Sequence, residues 1–282
     1  LGLGIYLYLP LRATASPPIN WGDPRTLDRL WWVVSGGPYR RYLFALPVAY
    51  LPQRLAAWLR LLGGQFGLVG TGVTAWGAAA LWSEDRPLLV ATGATAALVS
   101  AFALGYDTTD SYLYLIPAVV CAALWLGTGI DALLGAVAHR SQKAALALGA
   151  LAVAFALPGA ALRWPMMDLS GDRTAEEFGR TVLAQAPPEA VVVTRADGHT
   201  FALWYLQQTE GLRPDVTVVD ADLVGQPWYN ADLDQRLGAS AAVLAALAAG
   251  EPEQGWVADQ LGRPVCHIDG TDARMDCTRP GG

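Results

Sequence analysis

The chain has 282 residues, of which 53% are hydrophobic and only 16% charged, and its net charge is −6. A soluble globular protein carries about 25% charged residues, so the composition departs from that of a uniformly soluble enzyme. The charge is also uneven: residues 64–162 hold five acids and three bases, whereas residues 163–282 hold eighteen acids and nine bases.

Leu1–Pro10 (LGLGIYLYLP) is apolar but only half the roughly 20 residues that cross a bilayer. It reads as the end of a helix belonging to a longer polytopic protein. Residues 11–63 carry seven arginines, two acids (Asp23 and Asp28) and many aromatics. Pro47, Pro52, Arg54 and Arg60 argue against a clean span here, so this part is expected to lie in the membrane interface as an amphipathic or re-entrant segment.

Four segments, roughly 64–82, 88–105, 112–136 and 144–162, have the length and apolarity of spanning helices. Cys121, inside the third, reads as a packed small residue. Residues 11–63, the loop 106–111 and everything after 163 then share one face of the membrane. Counting arginines places that face in the cytoplasm. Arg140 and Lys143 instead mark the opposite loop as cytoplasmic, and composition leaves the conflict open.

From residue 163 onward the pattern becomes α/β. Arg173–Gln185 predicts a helix with Asp172 at its N-cap, and Ala190–Thr194 (AVVVT) a buried strand. Thr200–Thr209 predicts a second helix and Val216–Asp220 (VTVVD) a second strand, which together make a parallel βαβ unit. Further on, Ala239–Ala249 reads as helix, Pro264–Ile268 as strand, and the tail as frayed. Cys266 and Cys277 could pair only if this part lies outside the cytosol; the three cysteines by themselves give no disulfide framework. The expected fold is thus an α-helical polytopic region followed by a small α/β soluble domain. Its parts are an interfacial segment at 1–63, four transmembrane helices at 64–162, and an α/β domain at 163–282.

Chemistry concentrates in Pro17-Pro18-Ile19-Asn20-Trp21-Gly22-Asp23-Pro24, followed by Trp31, Trp32, Tyr39, Arg40 and Arg41. Paired aromatics suit sugar faces or the interfacial belt, and arginines at a membrane surface suit phosphate oxygens. The competing reading has Asp23 capping the helix that starts near Arg25. A second candidate is Tyr106–Tyr112 (YDTTDSY), where Asp107 and Asp110 could bind a cation or position a hydroxyl; alternatively Asp110 or Ser111 caps the next span. Asp131 is an ionisable group inside a span. In the α/β part, Asp197 and His199 sit after a strand, where ligands bind, but two ligands make a weak metal site. A turn capped by Thr200, near Trp204, is the plainer reading. No Gly-rich phosphate loop, HExxH or paired CxxC motif occurs.

The segment YLYLPLRATASPPINWGDPRTLDRLWWVVSGGPYRR resembles the signature loop of a large bacterial multi-pass membrane family carrying a domain of unknown function. That family is related to the eukaryotic transmembrane protein O-mannosyltransferase acting on receptor ectodomains. YDTTDSYLYLIPA and APPEAVVVTRADGHTFALWYLQQTEGLRPDVTVVDADLVGQPWY follow in the family's order, so the landmarks run from residue 6 to about 229. The resemblance implies a GT-C type glycosyltransferase with its working face on the exoplasmic side. Its donor would be a polyprenyl-phosphate sugar, with mannose the first candidate, and its acceptor a hydroxyl such as a protein Ser or Thr.

Asn20, Trp21, Asp23, Arg12, Arg25, Tyr39, Arg40 and Arg41 would then hold the donor phosphate or shape the acceptor cleft, with Asp107 and Asp110 on the same face. Asp197, His199, Thr200 and Trp204 would form a separate site in the soluble domain. Two departures stand out. His199 replaces the second acid usual in the TRADGHTF-like loop, and the catalytic base is expected in an outer loop before residue 1. The implied partners are membrane lipid, the lipid-linked sugar and a protein acceptor, with no nucleic acid and no defined metal. The alternative from another class is a non-enzymatic transporter or a sensor with an exported α/β binding domain.

Overall fold

The computed structural model describes residues 2–250, 254–269 and 273–281, so Leu1 and Gly282, at the ends of the expected half-span and tail, lie outside it. The chain falls into two compact units: residues 1–35 together with 169–282, and residues 36–168. Gly2–Leu7 is a 3-10 helix leading into α1 (Tyr8–Thr14), and α2 (Leu27–Val34) follows. The cap of α2 is Thr26, whose hydroxyl accepts from the Arg29 N–H at 3.4 Å. Asp23 does not take that role, because its carboxylate is engaged by Asn20, Arg25 and Arg29, as described below.

Unit 36–168 is helical. α3 (Leu51–Glu84) opens with Pro52 in its first turn, where the missing N–H is no loss. It breaks at Gly67 (φ 64°, ψ 178°), a conformation only glycine adopts freely. α4 (Arg86–Gly105) starts at an Asp85 cap, and α5 (Ile116–Ala138) follows the 3-10 turn Ser111–Leu115. α6 (Gln142–Met167) is capped by Ser141. The α3–α5 crossing is so close that a Cβ at Gly77 would lie 1.8 Å from the Trp125 carbonyl.

Among the described residues, two stretches are long and apolar enough to cross a membrane: Arg86–Gly105 and Ser111–Ala138. Only 6% and 28% of their apolar stretches are buried within the protein. Leu98, Val120 and Leu124 point outward. A core helix of a soluble protein hides such residues; lipid-facing helices leave them on the surface.

The α/β part comprises α7 (Thr174–Gln185), β1 (Val191–Thr194), α8 (Asp197–Glu210), β2 (Thr217–Asp220), α9 (Pro227–Leu237), α10 (Ala241–Ala249), α11 (Gln254–Leu261), β3 (Val265–Asp269) and β4 (Arg274–Thr278). The sheet order is β2-β1-β3-β4, with β1 parallel to β2 and β3, and β4 antiparallel to β3. The run VVVT is buried throughout because β1 is a central strand covered on both faces. Leu183, Leu203, Leu206, Leu233, Leu247 and Val257 fill the core. Asp172 accepts from the Thr174 N–H at 2.9 Å at the start of α7.

Arg213 ties the end of α7 to β2. Its guanidinium donates to the carbonyls of Leu183, Ala186 and Pro187 and pairs with Asp215 at 2.9 Å. That pairing holds the Asp215 carboxyl far below its ordinary value, with the Glu189 N–H adding a further donor.

The tail is not frayed. Cys266 and Cys277 are register partners joined by a disulfide, which fastens β4 to β3. Closing a loop with a sequence separation of 11 stabilises by roughly 3 kcal/mol in the chain-entropy account.

Candidate functional site

The Pro17–Pro24 segment folds into a compact loop against the α/β core. Ile19 and Trp21 pack on that core, and the Trp21 ring lies 5.3 Å from Trp228 and 6.5 Å from Phe201. Trp21 is therefore a packing anchor beneath the loop. Gly22 (φ 73°) and Asp23 (φ 43°) make the turn, and a Cβ at Gly22 would run into Val33 at 2.3 Å. Asp23 tolerates the left-handed conformation because its carboxylate is locked. It accepts from Asn20 Nδ2 at 2.8 Å and from Arg29 Nη1, and forms an ion pair with Arg25 Nε at 2.8 Å. Arg25 also donates to the Ala13 carbonyl and the Ser16 hydroxyl, and Arg236 donates to the Pro18 carbonyl.

These contacts bound a cleft of about 520 Å³. One wall is the loop with Asn20, Asp23, Arg25 and Arg29; the other is Trp204 of α8 with Trp228, Tyr229, Asp232, Gln235 and Arg236 of α9. Asp232 pairs with Arg236 one turn on, at 3.0 Å. Partial burial raises the Asp232 carboxyl above its ordinary value, and Arg236 offsets part of that rise. Three guanidiniums face two carboxylates, so the cleft keeps one net positive charge. Trp228 Nε1 is shielded from solvent and has no hydrogen-bond partner among the described residues. Planar amide, carboxylate and guanidinium groups beside indole faces suit a polyhydroxylated ligand, and the volume is that of a small-molecule site.

Beneath the cleft lies a buried polar cluster at the carboxyl ends of β1 and β2. Thr200 donates to Asp220 Oδ2 at 2.9 Å, and its hydroxyl meets that of Thr194 at 2.5 Å. Asp220 Oδ1 accepts from the N–H groups of Asp222 (2.9 Å) and Leu223 (3.3 Å). The Asp220 N–H donates to the Tyr229 hydroxyl at 2.8 Å. Burial raises the Asp220 carboxyl above its ordinary value despite these donors, and burial pushes the Tyr229 phenol up as well. Thr200 thus does not cap a turn. α8 begins at Asp197, three residues earlier than expected, which puts Thr200 inside the helix and fully buried.

The remaining candidates fall elsewhere. Arg12 is exposed on α1 and does not line the cleft. Asp197 and His199 occupy the first turn of α8, where the His199 ring stacks on Phe178 at 4.2 Å. No group of three metal-ligating side chains forms among the described residues. Tyr39, Arg40 and Arg41 lie in the 3-10 segment Gly37–Tyr42 of the helical unit, with Arg41 over the Tyr42 ring at 4.7 Å. Asp107 donates its N–H to the Tyr42 carbonyl at 3.0 Å. Neither Asp110 nor Ser111 caps the following helix: Asp110 makes no side-chain cap bond, and Ser111 accepts from Arg54.

Of the residues the sequence singled out, Asn20, Asp23, Arg25 and Trp204 line this cleft, whereas Arg29, Trp228, Asp232, Gln235 and Arg236 were missed. Gln226-Pro227-Trp228-Tyr229 held the available signal, since proline followed by aromatics marks a helix start.

The wall contributed by α8 and α9 lies inside the region recognised by comparison. Residues 175–257 match the family model described as TMEM260-associated domain 2, so this part of the chain is similar to that domain. Among curated proteins, the mouse protein named "Protein O-mannosyl-transferase TMEM260" is 35% identical over 66 residues, which is 23% of this chain and 9% of the mouse protein. No solved structure matches.

Proposed function

We propose that the chain is part of a membrane glycosyltransferase of GT-C type. It moves a sugar, mannose being the first candidate, from a polyprenyl-phosphate carrier to a hydroxyl such as a protein Ser or Thr. The cleft between the Pro17–Pro24 loop and α9 holds the sugar. The observation that carries this reading is the convergence of Asn20, Asp23, Asp232, Gln235 and three arginines beside Trp204 and Trp228 in one cleft. The likeness to the mouse O-mannosyl-transferase supports it from outside. Within the helical unit, Tyr39, Arg40 and Arg41 serve the carrier phosphate. All four long helices cross the bilayer in this reading, and the outward-facing leucines of α4 and α6 support that. The Cys266–Cys277 disulfide supports an exoplasmic α/β part, because reducing compartments disfavour such bonds.

Saturation-transfer NMR on the full-length protein with methyl α-mannoside tests the cleft. Saturable binding is expected, weakened about fivefold by Trp228→Ala through the lost stacking surface. Absence of binding, or equal binding by that variant, refutes the assignment.

A further inference from the structure

The helical unit carries a second cavity, of about 430 Å³, that the sugar-transfer reading does not use. Its walls are mostly apolar: Ala57, Trp58 and Leu61 of α3, Ala103 and Leu104 at the end of α4, and Leu115 before α5. One end is polar, with Arg54, Thr109, Ser111 and Tyr112. The Arg54 guanidinium is anchored to the Thr108 carbonyl at 2.8 Å and to the Ser111 hydroxyl, which fixes its plane. Among the described residues, those two bonds leave three of its five N–H donors unspent. No carboxylate forms an ion pair with it among the described residues. Trp58, a wall residue, has its indole N–H shielded from solvent without a protein acceptor among the described residues.

The place of this cavity along the helices decides what it fits. α4 has 20 residues, about 30 Å of helix, which matches the hydrocarbon thickness of a bilayer. Ala103 and Leu104 are at its last turn, and Ser111–Leu115 opens the next apolar stretch. The apolar walls therefore sit at the edge of the hydrocarbon layer, and Arg54 sits at the depth of lipid phosphates. A fixed, uncompensated guanidinium beside a greasy groove at that depth is complementary to one lipid: an acyl chain below and an anionic phosphodiester above.

We propose that the cavity formed by Arg54, Trp58, Leu61, Thr109 and Ser111 binds an anionic phospholipid of the surrounding bilayer. Its phosphate is held by Arg54 and the hydroxyls, and an acyl chain fills the groove. This rests on α4 and α5 crossing the membrane and is independent of sugar transfer.

The test uses the full-length protein reconstituted in nanodiscs, with lipid retention read by native mass spectrometry after transfer to detergent. Phosphatidylglycerol, phosphatidylcholine and polyprenyl phosphate are the probes. One phosphatidylglycerol per protein is expected, retained about tenfold better than phosphatidylcholine. Arg54→Gln removes that preference. Ala57→Trp, which fills the groove and leaves both Arg54 anchors in place, displaces the lipid and serves as the second variant should the first disturb the loop. Equal retention of the two phospholipids, unchanged retention in Ala57→Trp, or preferential retention of polyprenyl phosphate overturns the proposal. Resistance to carbonate extraction reports membrane insertion separately: extractable protein refutes the spanning reading itself, and the lipid site with it.

Discussion

Gly77→Leu is expected to prevent the helical unit from forming. A Cβ at Gly77 would lie 1.8 Å from the Trp125 carbonyl oxygen and 2.5 Å from the Gly129 nitrogen; one at Gly129 would lie 2.1 Å from the Val73 carbonyl oxygen. These neighbours are backbone atoms, so no side-chain rotation relieves the overlap and the helices must separate. Small residues give close approach where lipid supplies no hydrophobic drive between helices. Overpacking typically costs about 1–3 kcal/mol, and backbone-to-backbone conflict lies at the upper end. Gly77→Ala should therefore lower the unfolding midpoint in detergent by about 10 °C, and Gly77→Leu should yield no monodisperse protein. Gly72 on the same helix has nothing within 4 Å of its Cβ position, so Gly72→Leu is the control and should behave as wild type. Equal behaviour of the two leucine variants would mean that α3 and α5 do not meet at Gly77.

Asp220→Leu should be nearly as damaging to the α/β part. The carboxylate serves the Thr200 hydroxyl and two backbone N–H groups, and Asp220 itself is 2% exposed. Each buried group left without its partner costs about 1–3 kcal/mol, so a loss of roughly 3 kcal/mol is expected and β1–β2 amides should exchange about a hundredfold faster.

Asp220→Asn should retain the network, with the amide oxygen accepting both N–H groups and the amide nitrogen donating to Thr200. It also removes a charge that burial disfavours. Because the folded carboxyl is raised above its ordinary value of 3.8, the folded state binds more protons than the unfolded state between those two values, and wild-type stability falls as pH rises through that window. The advantage of the Asp220→Asn variant should accordingly be largest at neutral pH and shrink as pH drops toward 3.8. Thermal unfolding of both proteins across that range checks the sign. Asp215 acts oppositely, since its depressed value makes stability fall on acidification; it is common to both proteins and cancels in the difference.

The strands VVVT and TVVD were legible because buried parallel strands read as unbroken β-branched runs. α4, α5 and α6 were legible from their apolar runs, whereas α3 begins at Leu51, inside the stretch expected to lie in the interface, because Arg54 and Arg60 masked its first turns. What escaped depended on partners far away in sequence. Arg236 reaches the Pro18 carbonyl across a separation of 218 residues, and nothing in either segment announces the other. The Pro17–Pro24 loop stood out by its prolines, glycine and aromatics, yet those features also describe a packed loop, and Trp21 proves to be an anchor on the core.

α8 was expected too late because Gly198 looks like a loop residue. An Asp in the first turn complements the helix dipole and lets the helix begin at Asp197. β4 was missed because its strand character comes from pairing with β3 and from the disulfide, whereas its own run, RMDCT, has little β propensity.

Sugar transfer by the full-length protein, reconstituted with a mannosyl-phosphoryl polyprenol and a Ser/Thr peptide acceptor, puts the proposed function to its most direct test. Transfer by the wild type is predicted, with kcat/KM at least about tenfold lower when Trp228→Ala and Gln235→Ala are combined, as expected for the loss of one stacking and one hydrogen-bonding contact. A wild type that transfers no sugar, or a double variant that transfers it at the wild-type rate, would contradict the account.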